Sequence, residues 1–160
     1  MFRVGGFGDP WHIICNLFEV KLLLWSANMA PDQINVLLGR SDWDWPRAVE
    51  QLFAPRGIRA MVAVSAGDAV RILETSRVHM ALLDVDSRTA GGLSMVRAIR
   101  GYEPQLPCIT LSSRWERPLL GEALELNVFS VMAKPVDMQV LQEQLNKLFV
   151  KQYNSDLFRA

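Results

Sequence analysis

From Gln33 onward, short apolar runs alternate with segments in which apolar side chains recur at helical spacing. The apolar runs are mostly aliphatic and are flanked by Gly, Pro, Asp or Ser, which is typical of buried strands. There are five such runs, at residues 34–39, 58–64, 78–83, 106–111 and 128–133. The pattern therefore predicts five strands.

A helical segment follows each apolar run. The first is predicted to begin near Asp44 with Pro46 in its first turn, and the second to begin after Ser65. The fourth is expected to stop at Asn127, and the fifth to begin at the N-cap Asp137. Each segment repeats apolar residues every three or four positions, which predicts one buried face per helix. The positions on these faces are Val49, Leu52 and Phe53; Ala69, Val70 and Leu73; Leu93, Val96 and Ile99; Leu120, Ala123 and Leu124; and Met138, Leu141, Leu145, Leu148 and Phe149.

Five strands that alternate with five helices predict βα units and a parallel sheet covered on both faces. We therefore expect one doubly wound α/β domain over residues 33–153, an N-terminal extension over 1–32 and a C-terminal tail over 154–160. The extension is apolar over 11–27, but Glu19 and Lys21 interrupt it. It is too short and too charged for a membrane span or a clean signal peptide, and is expected to be helical or partly disordered.

Composition narrows the class of protein further. The chain has 160 residues, with 17 Lys and Arg against 17 Asp and Glu, and half of its residues are apolar. A neutral chain with scattered Arg residues argues against a nucleic-acid partner. Cys15 and Cys108 form neither a disulfide framework nor a metal-ligand pair, so a cytoplasmic location is expected, without a membrane partner.

Polar side chains that could carry chemistry follow three of the predicted strands. Asp84 and Asp86 follow the third apolar run, Ser112 and Ser113 follow the fourth, and Lys134 follows the fifth. In open α/β sheets, ligands bind outside the carboxyl ends of the strands, so these side chains are expected to converge. A carboxylate can accept a phosphoryl group, while an ammonium and a hydroxyl can bind its oxygens.

Three segments, ALLDVDSRTAGGLSMVRAIR, ITLSS and VMAKPV, resemble the receiver domains of two-component response regulators. The resemblance extends over about residues 33–153. It implies a flavodoxin-like fold, in which a five-stranded parallel sheet has the order 2-1-3-4-5. It also implies phosphorelay signal transduction as the process.

The same resemblance implies a role for individual residues. It places Asp84 at the phosphoacceptor position and Ser112 at the switch hydroxyl. Lys134 falls on the lysine that contacts the phosphoryl group, and the bond before Pro135 is often cis in this family. Gly92 falls on the family's glycine eight residues after the phosphoacceptor, as a structural residue of the site.

The end of the first strand departs from the family pattern. Arg40 and Ser41 stand where receivers carry the acidic pair that holds Mg²⁺. A hard divalent cation prefers carboxylate ligands, so the Mg²⁺ that the family implies would be poorly held here. Asp42 and Asp86 are weak substitutes as ligands. Arg40 is either a solvated surface residue, or its guanidinium takes the place of the metal and pairs with Asp84 or Asp86. The replacement of the acidic pair makes the chain an atypical receiver.

The leading functional hypothesis is a stand-alone receiver without an output domain, because the chain ends soon after the fifth helix. It would be no enzyme, but would take a phosphoryl group from a histidine kinase or phosphotransfer protein. It would then act on a downstream protein target, typically through the face of the fourth and fifth helices, which can also form a homodimer. One alternative is a pseudo-receiver that binds its partner without phosphorylation.

A second alternative belongs to another class. Asp84 and Asp86, followed by Ser112 and Lys134, also resemble the order of residues in haloacid-dehalogenase-like phosphatases. The first Asp would then be the nucleophile and the second the general acid or base. That family usually carries its Asp pair on the first strand of the chain, which argues against this alternative.

Overall fold

A computed structural model describes residues 33–39, 45–86 and 93–159 of the chain. These residues contain a five-stranded parallel sheet, in the order β2-β1-β3-β4-β5. The strands are β1 (Ile34–Gly39), β2 (Ile58–Ala63), β3 (Met80–Asp84), β4 (Cys108–Ser112) and β5 (Ser130–Ala133). The predicted fold class and strand order are confirmed.

Within the described ranges, five helices connect and follow the strands. They are α1 (Trp45–Phe53), α2 (Ala66–Thr75), α3 (Ser94–Tyr102), α4 (Arg117–Glu125) and α5 (Met138–Tyr153), and a short 3₁₀ turn (Ala54–Arg56) extends α1. Ser65 caps α2 by accepting a hydrogen bond from Asp68, and Asp137 caps α5. Asn127 adopts a left-handed conformation after α4. The predicted helix starts at Ser65 and Asp137 are thus confirmed.

Alternate residues of each central strand face opposite sides of the sheet, because side chains alternate along a strand. Val36 and Leu38 of β1 face the cluster covered by α1 and α5, while Leu37 faces the cluster covered by α2, α3 and α4. Burial on both faces explains why the strands are continuous apolar runs rather than alternating ones.

The strand starts differ slightly from the predicted ones. Val78 and Leu106 were expected to begin strands, but β3 and β4 each begin two residues later. Both side chains are nevertheless buried in the cluster covered by α2, α3 and α4. An apolar run therefore indicates which residues are buried, and the buried segment is longer than the segment that pairs in the sheet.

One predicted core position is wrong. Leu124 was expected on the buried face of α4, but it is 61% exposed. The helix packs through Ala123, which is fully buried, and Leu124 lies about 100° further around the helix. Helical spacing alone does not identify which of two adjacent apolar residues faces the sheet.

The segment after α5 contributes to the core. Phe158 is 1% exposed and packs against the rings of Phe53 and Phe149, with centroid distances of 6.0 and 5.1 Å. The Arg56 guanidinium lies 5.3 Å from the Phe158 ring centroid, and its Nε donates a hydrogen bond to the carbonyl of Leu157 at 3.2 Å. Phe158, which the sequence pattern placed in a tail, is thus part of the hydrophobic core under α1 and α5.

His79 directly precedes β3, at the amino end of this central strand. Its Nδ1 accepts a hydrogen bond from the backbone N–H of Asn35 at 3.2 Å, and its ring packs edge-on against Tyr153. Burial, together with the positive charge of Arg77, lowers the pKa of His79 below its ordinary value of 6.5. Protonation of Nδ1 would also remove the acceptor that Asn35 uses.

We expect the free energy of unfolding to fall as the pH drops below about 6.5. The unfolded chain takes up a proton on His79 at the ordinary pKa, whereas the folded chain resists protonation until a lower pH. The His79 contribution is therefore complete above pH 6.5 and is lost on acidification. Urea unfolding between about pH 7.5 and about pH 5.5 measures it, with His79→Gln as the control that lacks the titrating ring. An equal pH slope in both proteins would contradict the prediction.

Candidate functional site

The carboxyl ends of β3, β4 and β5 bring three polar residues to one edge of the sheet. Asp84 is the last residue of β3, Ser112 is the last residue of β4, and Lys134 directly follows β5. The parallel register keeps them level, since Asp84 pairs with Leu111 and Ser112 pairs with Ala133. The side chains of Asp84 and Ser112 are both buried. Burial is unusual for a carboxylate such as that of Asp84.

Both oxygens of Asp84 have partners. The Lys134 ammonium lies 2.5 Å from Asp84 Oδ2, and the backbone N–H of Asp86 donates to Asp84 Oδ1 at 2.9 Å. Lys134 reaches this position because its own backbone N–H donates to the Ser112 carbonyl at 3.0 Å, next to the strand end. The peptide bond between Lys134 and Pro135 is cis, as the resemblance implies.

Both oxygens of Asp86 accept hydrogen bonds from the end of β4 and the residue after it. Its Oδ1 accepts a hydrogen bond from the Ser112 hydroxyl at 2.5 Å. Its Oδ2 accepts from the Ser113 backbone N–H at 2.6 Å and from the Ser113 hydroxyl at 2.8 Å. The Lys134 ammonium lies 3.2 Å from the same oxygen, so Lys134 bridges Asp84 and Asp86.

These contacts determine the charge of Asp86. Burial acts to raise the pKa of this carboxyl, but the hydrogen bonds from Ser112, Ser113 and Lys134 outweigh burial and hold the pKa well below the ordinary range. Asp86 is therefore a carboxylate at neutral pH. Among the described residues, the Lys134 ammonium contacts this carboxylate and that of Asp84.

Sequence analysis missed the role of Ser113, which it treated only as a small residue behind Ser112. Ser113 supplies both a backbone and a hydroxyl donor to Asp86. Its place directly after a strand that ends in Ser112 was the available signal. Trp115 anchors the loop that contains Ser113 to β5, because its Nε1 donates a hydrogen bond to the Met132 carbonyl at 2.7 Å.

Some predicted site residues lie outside the described residues. These are Arg40, Ser41 and Asp42 after β1, and Gly92 before α3. The predicted pairing of Arg40 with Asp84 or Asp86 stays a prediction. Within the described residues, Lys134 is the cation that pairs with both carboxylates.

The described residues by themselves do not assemble a Mg²⁺ site, and the end of β1, where the family carries its acidic pair, lies outside them. Among them, no group of three or more His, Cys, Asp or Glu side chains is placed to hold a metal. The oxygens of Asp84 and Asp86 already accept hydrogen bonds from the donors named above. Magnesium requires near-octahedral oxygen ligands, and an ammonium lies between the two carboxylates that could supply them.

The arrangement is suited to holding an oxyanion next to a nucleophile. Asp84 is a buried carboxylate at hydrogen-bond distance from an ammonium. Two hydroxyls and one backbone N–H donate to the neighbouring Asp86 carboxylate. Such donors stabilise the equatorial oxygens of a phosphoryl group during transfer.

Comparisons with known proteins point to one family. A model of the response regulator receiver domain family matches residues 44–146, more than half of the chain. The transcriptional regulatory protein GlrR of Escherichia coli is 26% identical over 90 residues, which cover 56% of this chain and 20% of that protein. The chain spans 20% to 27% of the length of such curated relatives.

Solved structures show the same fold. A response regulator receiver protein from Pseudomonas putida is 26% identical with a TM-score of 0.65, covering 72% of this chain and 97% of that one. The signal receiver domain of an HD domain-containing protein from Pseudomonas fluorescens has a TM-score of 0.69 at 21% identity, covering 77% of this chain and 99% of that one.

In the described part of this chain, no helix is long and apolar enough to cross a membrane.

Proposed function

This chain belongs to the response regulator receiver domain family, and on that premise we propose that it accepts a phosphoryl group on Asp84 in phosphorelay signalling. The phosphodonor is a histidine kinase or a phosphotransfer protein. The observation that carries the proposal is the Lys134 ammonium 2.5 Å from the buried Asp84 carboxylate, with Ser112 at the end of the neighbouring strand.

The chemistry is a single phosphoryl transfer. An oxygen of Asp84 attacks phosphorus, a new P–O bond forms, and the P–N bond of a phosphohistidine breaks. The imidazole leaves with the electron pair of the broken bond. Lys134 and the Ser112 hydroxyl bind the oxygens of the transferred group. This role makes the chain a signalling module rather than an enzyme with a turnover of its own.

The output of the module is proposed to be contact with a downstream protein target or with a second copy of the chain. The face of α4 and α5 is the proposed surface. It exposes apolar side chains on both helices, among them Leu124 and Val140. We place the exchange in the cytoplasm, because the cysteine content is too low for a disulfide framework.

The proposed receiver covers residues 33–153, preceded by the extension over 1–32 and followed by the tail over 154–160. It is atypical at the end of β1, where Arg40 and Ser41 replace the acidic pair of the family. Gly92 and Pro135 are proposed to shape the loops around Asp84. The phosphatase alternative has less support, since Asp84 ends β3 and not the first strand of the sheet.

The experiment that tests the proposal is incubation of the protein with acetyl phosphate, with and without Mg²⁺, followed by intact mass measurement. We expect a gain of one phosphoryl group, which peptide mapping assigns to Asp84. The leaving group is acetate, which keeps the electron pair of the broken bond. Complete absence of an adduct under both conditions would instead favour the phosphorylation-independent pseudo-receiver.

A further inference from the structure

The donors around Asp84 are already bound to a second carboxylate of the chain itself. Asp86 accepts hydrogen bonds from Ser112 and Ser113 and lies 3.2 Å from the Lys134 ammonium. We call these donors (the Ser112 hydroxyl, the Ser113 hydroxyl and N–H, and the Lys134 ammonium) the anion cradle. They lie on the ends of two neighbouring strands, and Asp86 reaches them from a third.

The cradle has the composition of an oxyanion site. One ammonium, two hydroxyls and one backbone N–H converge on the two oxygens of one side chain, at 2.5 to 3.2 Å. Such charge-assisted hydrogen bonds are strong, and convergent donors of this kind bind phosphate as readily as carboxylate. The Asp86 side chain is 18% exposed and Ser113 is exposed, so the cradle lies at the protein surface beside the buried Asp84.

We infer that Asp86 is an internal anion, which occupies the place of the phosphoryl oxygens and holds Ser112, Ser113 and Lys134 in their anion-bound arrangement. The part of this inference that concerns phosphorylation rests on the proposed function of Asp84. A carboxylate and a phosphoryl group are both negative and need the same donors, so they compete for the cradle. Phosphorylation of Asp84 must therefore displace Asp86.

The structure offers the displaced side chain a place to go. Asp86 lines an open groove of about 340 Å³ next to the cradle, together with Arg114, Glu116 and Leu119. The groove is solvent-accessible, so Asp86 can exchange the cradle for water. While Asp86 occupies the cradle, it opposes the uptake of a phosphoryl group by Asp84. The donors of the cradle meanwhile have the arrangement that we expect in the phosphorylated protein.

The first test needs no covalent chemistry. The protein used is the double variant Asp84→Asn/Asp86→Ala, to which inorganic phosphate is added. We expect a saturable change in the NMR signal of the Ser113 backbone amide. Asp84→Asn alone should show no such change, because Asp86 still fills the cradle. Addition of Ser112→Ala to the double variant should weaken binding by about tenfold or more. The inference would be overturned if Asp84→Asn and the double variant bound phosphate equally well. It would also be overturned if the double variant bound no phosphate.

The second test measures the competition. We expect Asp86→Ala to take up a phosphoryl group from acetyl phosphate about tenfold faster than the unchanged protein, because the competing carboxylate is gone. Asp156→Ala removes an exposed carboxylate outside the cradle and is the matched control for charge. Asp86→Asn, which keeps the size of the side chain, replaces Asp86→Ala if that variant does not fold.

The two tests separate this inference from the proposed function. Equal rates of uptake in Asp86→Ala and the unchanged protein would overturn the internal-anion role while leaving Asp84 as phosphoacceptor. Absence of uptake in every variant would overturn the proposed function, and the phosphate titration would then decide the inference alone.

Discussion

Replacement of Asp84 by asparagine is expected to abolish phosphoryl uptake from acetyl phosphate completely. A neutral carboxamide is not a nucleophile toward phosphorus, so the acceptor oxygen is lost. The substitution keeps the size of the side chain, and the asparagine oxygen can still accept the hydrogen bond from the Asp86 N–H. Intact mass measurement after incubation reports the presence or absence of the adduct.

The matched control for this loss is Asp156→Asn. Asp156 is an exposed carboxylate that pairs with Arg159, so its replacement removes the same charge without touching the site. Uptake by Asp156→Asn should equal that of the unchanged protein. An adduct that persists in Asp84→Asn would contradict the prediction, and peptide mapping would then identify the true acceptor.

Replacement of Phe158 by alanine is expected to lower the free energy of unfolding by about 3–5 kcal/mol, the usual range for a buried Phe reduced to Ala. Its ring is buried against Phe53 and Phe149, and the Arg56 guanidinium covers it. A loss of this size is a large share of the stability of an ordinary domain. Urea unfolding followed by circular dichroism measures it.

Two further variants make this prediction specific. Phe158→Leu retains most of the buried volume and should cost clearly less than Phe158→Ala. Tyr102→Ala also removes an aromatic ring, but Tyr102 is 48% exposed at the end of α3, so its loss should be small. Similar costs for Phe158→Ala and Tyr102→Ala would show that the segment after α5 does not close the core.

The hydrophobic pattern was enough to predict the sheet and its helices. Apolar runs such as 34–39 are buried on both faces, and that burial requires helices on both sides of a parallel sheet. Caps at Ser65 and Asp137 located two helix starts, because these side chains bind the free N–H groups of a first turn. The pattern failed at Leu124, where the choice between adjacent residues depends on how α4 lies against the sheet.

The candidate site was also predictable only in part. Asp84, Ser112 and Lys134 were predictable as neighbours, because parallel strands deliver their carboxyl ends to one edge. The partners of Asp86 were not, since Ser112 and Ser113 lie 26 and 27 residues away and the choice depends on side-chain directions at the strand ends. Spacing alone allowed Asp86 to be a metal ligand, a partner of Arg40 or an acid catalyst.

By itself, the sequence determined the α/β class, the strand segments and the residues at the strand ends, because burial periodicity and capping are local properties of the chain. Tertiary structure alone decided that Asp86 binds Ser112, Ser113 and Lys134, and that Phe158 returns to the core beside Phe53. Both contacts join parts of the chain that are distant in sequence. Their energies depend on distances and directions that exist only once the sheet has assembled.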